Sequence, residues 1–133
     1  MREIVLDTET TGLDPGDGHR IIEVGCIELV NHLPSGKKFH SLFNPGRDVP
    51  RSATEVHGLK NEDLLDMPRF EEKALELMTF IKEDPIVIHN AQFDIAFLNA
   101  ELARTELPLL QIGQTIDTLT MARKKFPGAP ASL

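Results

Sequence analysis

The order of apolar and polar positions along the chain predicts its first elements. Residues 3–7 form a short apolar run with β-branched members, which is typical of a buried central strand. A loop rich in Thr, Gly, Asp and Pro follows over residues 8–18. Residues 21–30 and 37–43 alternate polar and apolar positions on either side of turn-forming residues 31–36, so we predict an antiparallel hairpin there.

The remaining pattern predicts helices separated by short strands. Short helical pieces are expected over residues 52–65, and an amphipathic helix begins near Pro68. The apolar face of that helix comprises Phe70, Ala74, Leu77, Met78 and Ile81. Residues 86–89 indicate a buried parallel strand, Asn90 is a good N-cap for the next helix, and residues 118–125 form another. We therefore predict one α/β domain over residues 1–133, with a mixed sheet whose functional side chains follow strand ends.

Composition narrows the range of partners. The formal net charge of −7 argues against a broad basic surface for duplex DNA, and it suits acidic groups that gather divalent cations. No apolar run approaches the roughly 18 residues needed to cross a bilayer. We expect no signal peptide, no membrane contact and a cytoplasmic location. The single cysteine, Cys26, lies in an apolar stretch and is expected to be a packed, reduced thiol.

Paired carboxylates follow the first predicted strand. Asp7 and Glu9 are two positions apart, so their side chains point to the same side of the strand. Two neighbouring carboxylates repel each other unless one is protonated or a cation neutralises them. The sequence has no His and Cys spacing typical of zinc, so we predict a site for Mg²⁺ or Mn²⁺.

A third acid, Asp94, lies in the first turn of the helix after residues 86–89. Adjacent parallel strands would bring it to the same edge of the sheet as Asp7 and Glu9. Taken alone, Asp94 has an ordinary explanation in the helix dipole, and Asp7 and Glu9 are also compatible with a simple acidic turn. The combination of the two motifs favours a functional site.

Other polar positions have structural explanations. Asp117 precedes a predicted helix and is expected to cap it. His89 is expected to hold the end of its strand. Arg20 and Glu23 are expected to pair across the hairpin.

Two segments carry a resemblance to a known family. Residues 7–13 read DTETTGL and residues 89–94 read HNAQFD, and they resemble the first two motifs of the DnaQ-like (DEDD superfamily) 3′-5′ exonucleases. Spacer segments within residues 19–25, 43–45, 56–59, 117–123 and 126–128 match the family's epsilon branch, the proofreading subunits of bacterial DNA polymerase III, in the same order. The resemblance covers essentially the whole chain.

The resemblance implies a ribonuclease H-like mixed sheet flanked by helices and removal of mispaired 3′-terminal nucleotides from DNA. Two Mg²⁺ or Mn²⁺ ions would clamp the scissile phosphate. Asp7 would bridge both ions, Glu9 would ligate the one that activates water, and Asp94 would support the second. Substrate contacts are implied for Thr8, Thr10, Leu13, His57 and Phe93. The implied partners are a single-stranded 3′ end of DNA and the polymerase alpha subunit of the replicative holoenzyme.

The chain departs from the family at its third motif, a His followed five residues later by an Asp. His89 and Asp94 have this spacing, but they belong to the second motif, and no further His occurs between them and Leu133. Ser132 reads as the N-cap of a helix that does not follow. We therefore expect an incomplete domain that lacks C-terminal helices and is poorly active. Three alternatives stay open: an RNA-trimming exonuclease, a non-catalytic core that binds metal or polymerase, and a haloacid dehalogenase-like phosphatase with Asp7 as nucleophile.

Overall fold

The structure, a computed structural model, describes residues 1–125. Its strands form one mixed sheet in the order β3-β2-β1-β4-β5. Their bounds are Arg2–Thr10 (β1), Ile21–Val30 (β2), Leu33–Leu42 (β3), Ile86–Ile88 (β4) and Thr115–Asp117 (β5). β1 pairs antiparallel with β2, which pairs antiparallel with β3, whereas β1, β4 and β5 run parallel. The predicted mixed α/β sheet is confirmed.

Helices lie between the strands and after the last strand. They are Arg51–His57 (α1), Asn61–Leu64 (α2), Phe70–Ile81 (α3), Ala91–Arg104 (α4) and Thr118–Lys125 (α5). Short 3₁₀ turns occupy Pro15–Asp17 and Ile112–Gln114. None of the helices in the described part of the chain has the length and apolar character needed to cross a membrane.

The main core lies between the sheet and helices α3 and α4. Ile4 and Leu6 of β1 are fully or almost fully buried there. The predicted apolar face of α3 is confirmed, because Phe70, Ala74, Leu77 and Ile81 are buried and Met78 packs against them. Cys26 is a buried free thiol as expected, and burial raises its pKa to about 12. Such a thiol is not a nucleophile at neutral pH.

β1 is longer than its apolar run predicts. The pairing with β2 continues through Glu9 opposite Glu23 and ends at Thr10, after a register shift. The loop predicted to begin at residue 8 therefore begins after Thr10. Polar residues remain in the strand because the ladder to β2 satisfies their backbone groups. Both acids of the first motif are consequently fixed by sheet geometry.

The hairpin turn is shorter than predicted. Asn31 and His32 alone form it, with φ angles of 51° and 69°. These positive φ values at both central positions belong to the tight turns whose twist matches antiparallel strands. Leu33 to Gly36 were expected in the turn, but they lie in β3, which includes Pro34. A proline is tolerated there because β3 is an edge strand of the sheet.

Arg20 and Glu23 do not pair with each other. Arg20 forms hydrogen bonds of 2.6–3.0 Å with both carboxylate oxygens of Glu101 on α4, and Glu23 contacts His40 at 2.6 Å. The expectation of a local pair was wrong because β2 begins against α4, where Glu101 is 2% exposed. Its Oε2 also accepts the Ile21 amide at 3.1 Å. This cluster ties the start of β2 to the middle of α4.

Candidate active site

Asp7 and Glu9 lie at the carboxyl end of β1, on the side of the strand opposite Leu6 and Thr8. Asp7 faces Gly25 of β2 and is exposed, because that neighbour has no side chain to cover it. Glu9 faces Glu23 and is partly buried. Burial first, and then the charges of Asp7 and Glu23, raise the pKa of Glu9. The predicted pair therefore forms a region of unbalanced negative charge.

Asp94 lies in the first turn of α4 and is only 5% exposed. Burial is the largest cause that raises the pKa of its carboxyl group to about 7, and the charges of Asp7 and Glu9 add to it. The three acids named by sequence therefore interact across β1 and α4. Their mutual repulsion is the physical basis for a cation site.

These carboxylates do not form a complete metal-binding cluster by themselves. Within residues 1–125, no three His, Cys, Asp or Glu side chains are gathered closely enough to hold a metal ion. The donors are nevertheless carboxylate oxygens, which suit a hard divalent cation that keeps several of its waters. A cation between them would remove the repulsion that raises the pKa values of Glu9 and Asp94. The chemical type of these donor atoms therefore suits Mg²⁺ or Mn²⁺.

A cleft of about 440 Å³ begins beside Glu9 and runs between β1, α1 and α4. Its lining comprises Thr8, Glu9, Thr10, Thr11, Gly12, Leu13, Ser52, Ala53, Val56, His57 and Phe93. All five residues expected to contact substrate are among them. The structure therefore places the predicted substrate residues next to the predicted acids, in a cleft whose lining contains no Lys or Arg.

Three residues of α1 that line the cleft were not predicted. They are Ser52, Ala53 and Val56, and Val56 is 82% exposed. The sequence gives a signal only for Ala53, which precedes the predicted contact His57 by four positions and so lies on the same side of a helix. The side of α1 that lines the cleft is set by how the helix packs against β1. The apolar pattern of a seven-residue helix does not determine that packing.

His57 is held by both nitrogens of its ring. Its Nδ1 accepts a hydrogen bond from the Leu59 amide at 3.0 Å, so the proton lies on Nε2, which donates to the Thr10 carbonyl at 3.2 Å. No lone pair is left to accept a proton from water. This geometry favours a role in shaping the cleft over a role as general base.

The loop after β1 is fixed by its own side chains. The Thr10 hydroxyl donates to the Gly12 carbonyl at 2.6 Å, and the Thr11 hydroxyl lies 2.9 Å from Nδ1 of His19. A Cβ on Gly12 would lie 2.4 Å from the His19 ring, so this close approach requires glycine. Leu13 projects from this loop and is 85% exposed.

The N-terminus of α4 is capped differently from the prediction. Asn90 occupies the N-cap position with φ 63°, but its side chain makes no capping hydrogen bond. Asp117 accepts the amides of Asn90 and Ala91 instead, at 3.0 and 3.1 Å. Asp117 also caps its own helix, as expected. His89 holds its strand end through the Thr118 hydroxyl at 3.0 Å, which agrees with its expected structural role.

Comparison with known proteins identifies the family. The profile of the exonuclease family named for RNase T matches residues 4–133. The chain belongs to this exonuclease family. The motif resemblance is thereby confirmed. The segment 126–128, the helix start at Ser132 and the question of a third motif lie outside the residues that the structure describes.

The relatives of this exonuclease are replication proteins. DNA polymerase III subunit epsilon of Rickettsia typhi is 54% identical over 136 residues, covering 100% of this chain and 59% of that protein. The chain thus spans less than two thirds of the length of that relative. Exonuclease X, solved in complex with 5′ overhanging duplex DNA, has a TM-score of 0.72 at 25% identity and covers 98% of this chain and 68% of its own.

A more distant structure supports the fold alone. E. coli Exonuclease I, solved in complex with a dT13 oligonucleotide, has a TM-score of 0.82 at 14% identity. The match covers 97% of this chain and 31% of the other. The exonuclease therefore has the expected ribonuclease H-like fold, a mixed five-stranded sheet flanked by helices.

Proposed function

We propose that this chain is the core of a 3′-5′ exonuclease that removes mispaired 3′-terminal nucleotides from DNA. The observation that carries the proposal is a cleft with an apolar wall that ends at interacting carboxylates. A single strand can place its terminal nucleotide in such an open cleft. Membership of the exonuclease family supports this chemistry and speaks against the phosphatase alternative.

Asp7, Glu9 and Asp94 are proposed to hold two Mg²⁺ or Mn²⁺ ions. When bound, the ions would neutralise the scissile phosphate and assist attack by water. Asp7 is exposed and its charge acts on both Glu9 and Asp94, so the three carboxylates would hold the ions together. The burial of Asp94 keeps its carboxylate poorly solvated, so it gains strongly from a cation.

Apolar contacts are proposed to hold the 3′ nucleotide. Leu13, Val56 and Phe93 offer surfaces that pack against any base or sugar, which gives the sequence tolerance that proofreading requires. Thr8 and Thr10 are buried in the floor, and the Thr10 hydroxyl is already engaged. These two residues therefore shape the floor of the cleft.

The 133-residue chain is proposed to be a slow enzyme by itself. All five histidines lie in the described region and contact other residues: His19 with Thr11, His32 with Glu3, His40 with Glu23, His57 with Thr10, and His89 with Thr118. We propose that these contacts keep the five rings in structural roles, so that residues 1–125 supply no general base. The loss of a positioned base typically costs about 10²–10⁴ in rate.

The whole protein is proposed to act in the cytoplasm with the alpha subunit of a replicative polymerase. Support comes from the epsilon relatives, of which this chain covers 59% in the case of Rickettsia typhi. The net charge of −7 supports delivery of DNA by a partner, because the chain has few positive charges to retain DNA unaided.

The test is release of mononucleotides from a single strand with Mn²⁺, with the label at the 3′ end in one substrate and at the 5′ end in another. The 133-residue chain should act slowly from the 3′ end. A chain extended with the segment that follows the matched region in the Rickettsia typhi relative should act about 10²-fold faster or more. Asp7→Ala should abolish release, while Asp66→Ala, an exposed acid elsewhere, should not change it.

Other outcomes would select an alternative. Faster release from an RNA strand than from the matching DNA strand would favour an RNA-trimming exonuclease. Release that starts at the 5′ end would contradict the proposed polarity. No release by the extended chain would favour a non-catalytic core.

A further inference from the structure

The first turn of α4 has no cap of its own. Asn90 precedes it in the left-handed region, with φ 63° and ψ 62°, and its side chain accepts no amide of the helix. Helix N-termini leave backbone N–H groups that need acceptors. In this conformation the amides of Asn90 and Ala91 point away from α4, toward the end of β5.

Asp117, the last residue of β5, receives these amides. Its Oδ1 accepts the Asn90 amide at 3.0 Å and its Oδ2 accepts the Ala91 amide at 3.1 Å. The same Oδ1 accepts the amides of Leu119 and Thr120 of α5 at 2.9 and 3.3 Å. One carboxylate therefore caps two helices. Burial alone would raise the pKa of Asp117, but the four amide donors outweigh it and lower the pKa, so the group stays ionised.

The position of this cap matters because Asp94 lies three residues after Ala91, in the same helical turn. Asp94 is buried against the charge of Asp7, so the two carboxylates repel each other when both are ionised. A free first turn could fray to relieve that repulsion. The bonds to Asp117 hold the turn to β5, and β5 is joined through β4 to β1, which carries Asp7.

We infer that Asp117 is a positioning residue for the acidic site, which holds the first turn of α4 so that Asp94 stays beside Asp7. This inference rests on the proposed metal-dependent function. The recorded hydrogen bonds of Asp117 do not reach the three acids, and it acts through the backbone of Asn90 and Ala91. Groups that orient metal ligands typically change metal affinity by about 10–100-fold when removed.

The experiment is a Mn²⁺ titration of the 133-residue chain, followed by calorimetry, together with thermal unfolding of each variant. Asp117→Ala should weaken Mn²⁺ binding about tenfold or more. Asp117→Asn keeps one acceptor oxygen and should fall between Asp117→Ala and the original chain. Glu72→Ala is the control, since Glu72 caps α3 through the Arg69 amide at 2.6 Å, away from the acids. It should lower the melting temperature without changing Mn²⁺ affinity.

The outcomes separate the inference from the proposed function. If Asp94→Ala weakens Mn²⁺ binding while both Asp117 variants bind as the original chain does, the inference is overturned and the metal site stands. If the original chain does not bind Mn²⁺, or if Asp94→Ala leaves the affinity unchanged, the metal site and the inference both fail. Should Asp117→Ala not fold, the intermediate affinity of Asp117→Asn decides.

Discussion

Asp94 shows how burial changes the protonation of a carboxyl group. Its pKa of about 7 means that, between about pH 4 and pH 7, the folded chain favours the protonated form while the unfolded chain is ionised. Because the folded pKa is raised, this group's stabilisation is fully present below the unfolded pKa near 4 and is lost as pH rises toward 7. In the proposed function, a divalent cation would replace the proton above that pH.

The first prediction is that Asp94→Asn raises the stability of the metal-free chain at pH 8. The amide removes a buried charge, so the gain should be on the order of a few kcal/mol. Urea unfolding in EDTA at pH 5 and pH 8 checks it. In the original chain, Asp94 should make the free energy of unfolding larger at pH 5 than at pH 8. In the variant, this part of the pH dependence should be absent. A variant less stable than the original chain at pH 8 would contradict it.

The second prediction is that His57→Ala, in the C-terminally extended chain, weakens binding of a single-stranded 3′ end about tenfold and largely preserves the chemical rate. Both ring nitrogens are engaged, so the imidazole shapes the cleft and does not accept a proton. Single-turnover kinetics at saturating DNA separate the two effects. His32→Ala in the hairpin turn is the control. A collapse of the chemical rate with affinity intact would assign His57 to catalysis.

The three acids were predictable because the i and i+2 spacing in a strand and the first turn of a following helix fix where side chains point. The contribution of Ser52, Ala53 and Val56 of α1 was not, since these residues reach the cleft only through packing between distant segments. The role of Asp117 at α4 was hidden for the same reason: its partners Asn90 and Ala91 are 27 and 26 residues away in sequence.

At the scale of elements, α4 is held at two places. Asp117 secures its first turn, and Arg20 reaches Glu101 from the start of β2. The Glu101 side chain is 2% exposed and that of Arg20 is 11% exposed. Removal of one partner from such a pair leaves a buried charge without compensation.

The third prediction is that Glu101→Ala destabilises the chain by about 3–5 kcal/mol. Glu71→Ala removes the other, more exposed partner of Arg20 at 3.4 Å and should cost about 0–1 kcal/mol. Equilibrium urea unfolding of both variants gives the comparison. Equal losses in the two variants would show that the buried pair does not anchor α4.

The sequence predicted whether an element is a helix or a strand more reliably than the residues at which the element begins and ends. The amphipathic face of α3 was readable because its period of 3.6 persists over 12 residues. The end of β1 was misplaced because backbone pairing with β2 extends a strand through polar residues. The hairpin turn was placed too wide because Asn31 and His32 adopt positive φ without glycine.

At the scale of the whole molecule, negative charge dominates. The net charge is −7, and the lining of the cleft contains no Lys or Arg. Binding of a single strand should therefore release few counterions, because counterion release requires positive side chains at the phosphates. Recognition would rest on apolar contact and on cations held by the acids.

The fourth prediction is a weak salt dependence of binding. For Asp7→Ala in EDTA, the logarithm of the affinity for a short single strand should fall with the logarithm of salt concentration at a slope no steeper than about −1. Fluorescence anisotropy between about 50 and 200 mM salt measures it. A slope near −3 or steeper would reveal a basic surface that the cleft does not include.

The proposed metal site is tested most directly by Mn²⁺ titration of the Asp7→Ala and Glu9→Ala variants. Each variant removes one carboxylate from an exposed or partly exposed strand position, so the fold should remain intact by circular dichroism. Each should weaken Mn²⁺ binding by about tenfold or more, since loss of a group in the ligand shell is at least as severe as loss of a group behind it. Asp66→Ala should bind as the original chain does. Unchanged affinity in both Asp7→Ala and Glu9→Ala would place the metal elsewhere and contradict the proposed mechanism.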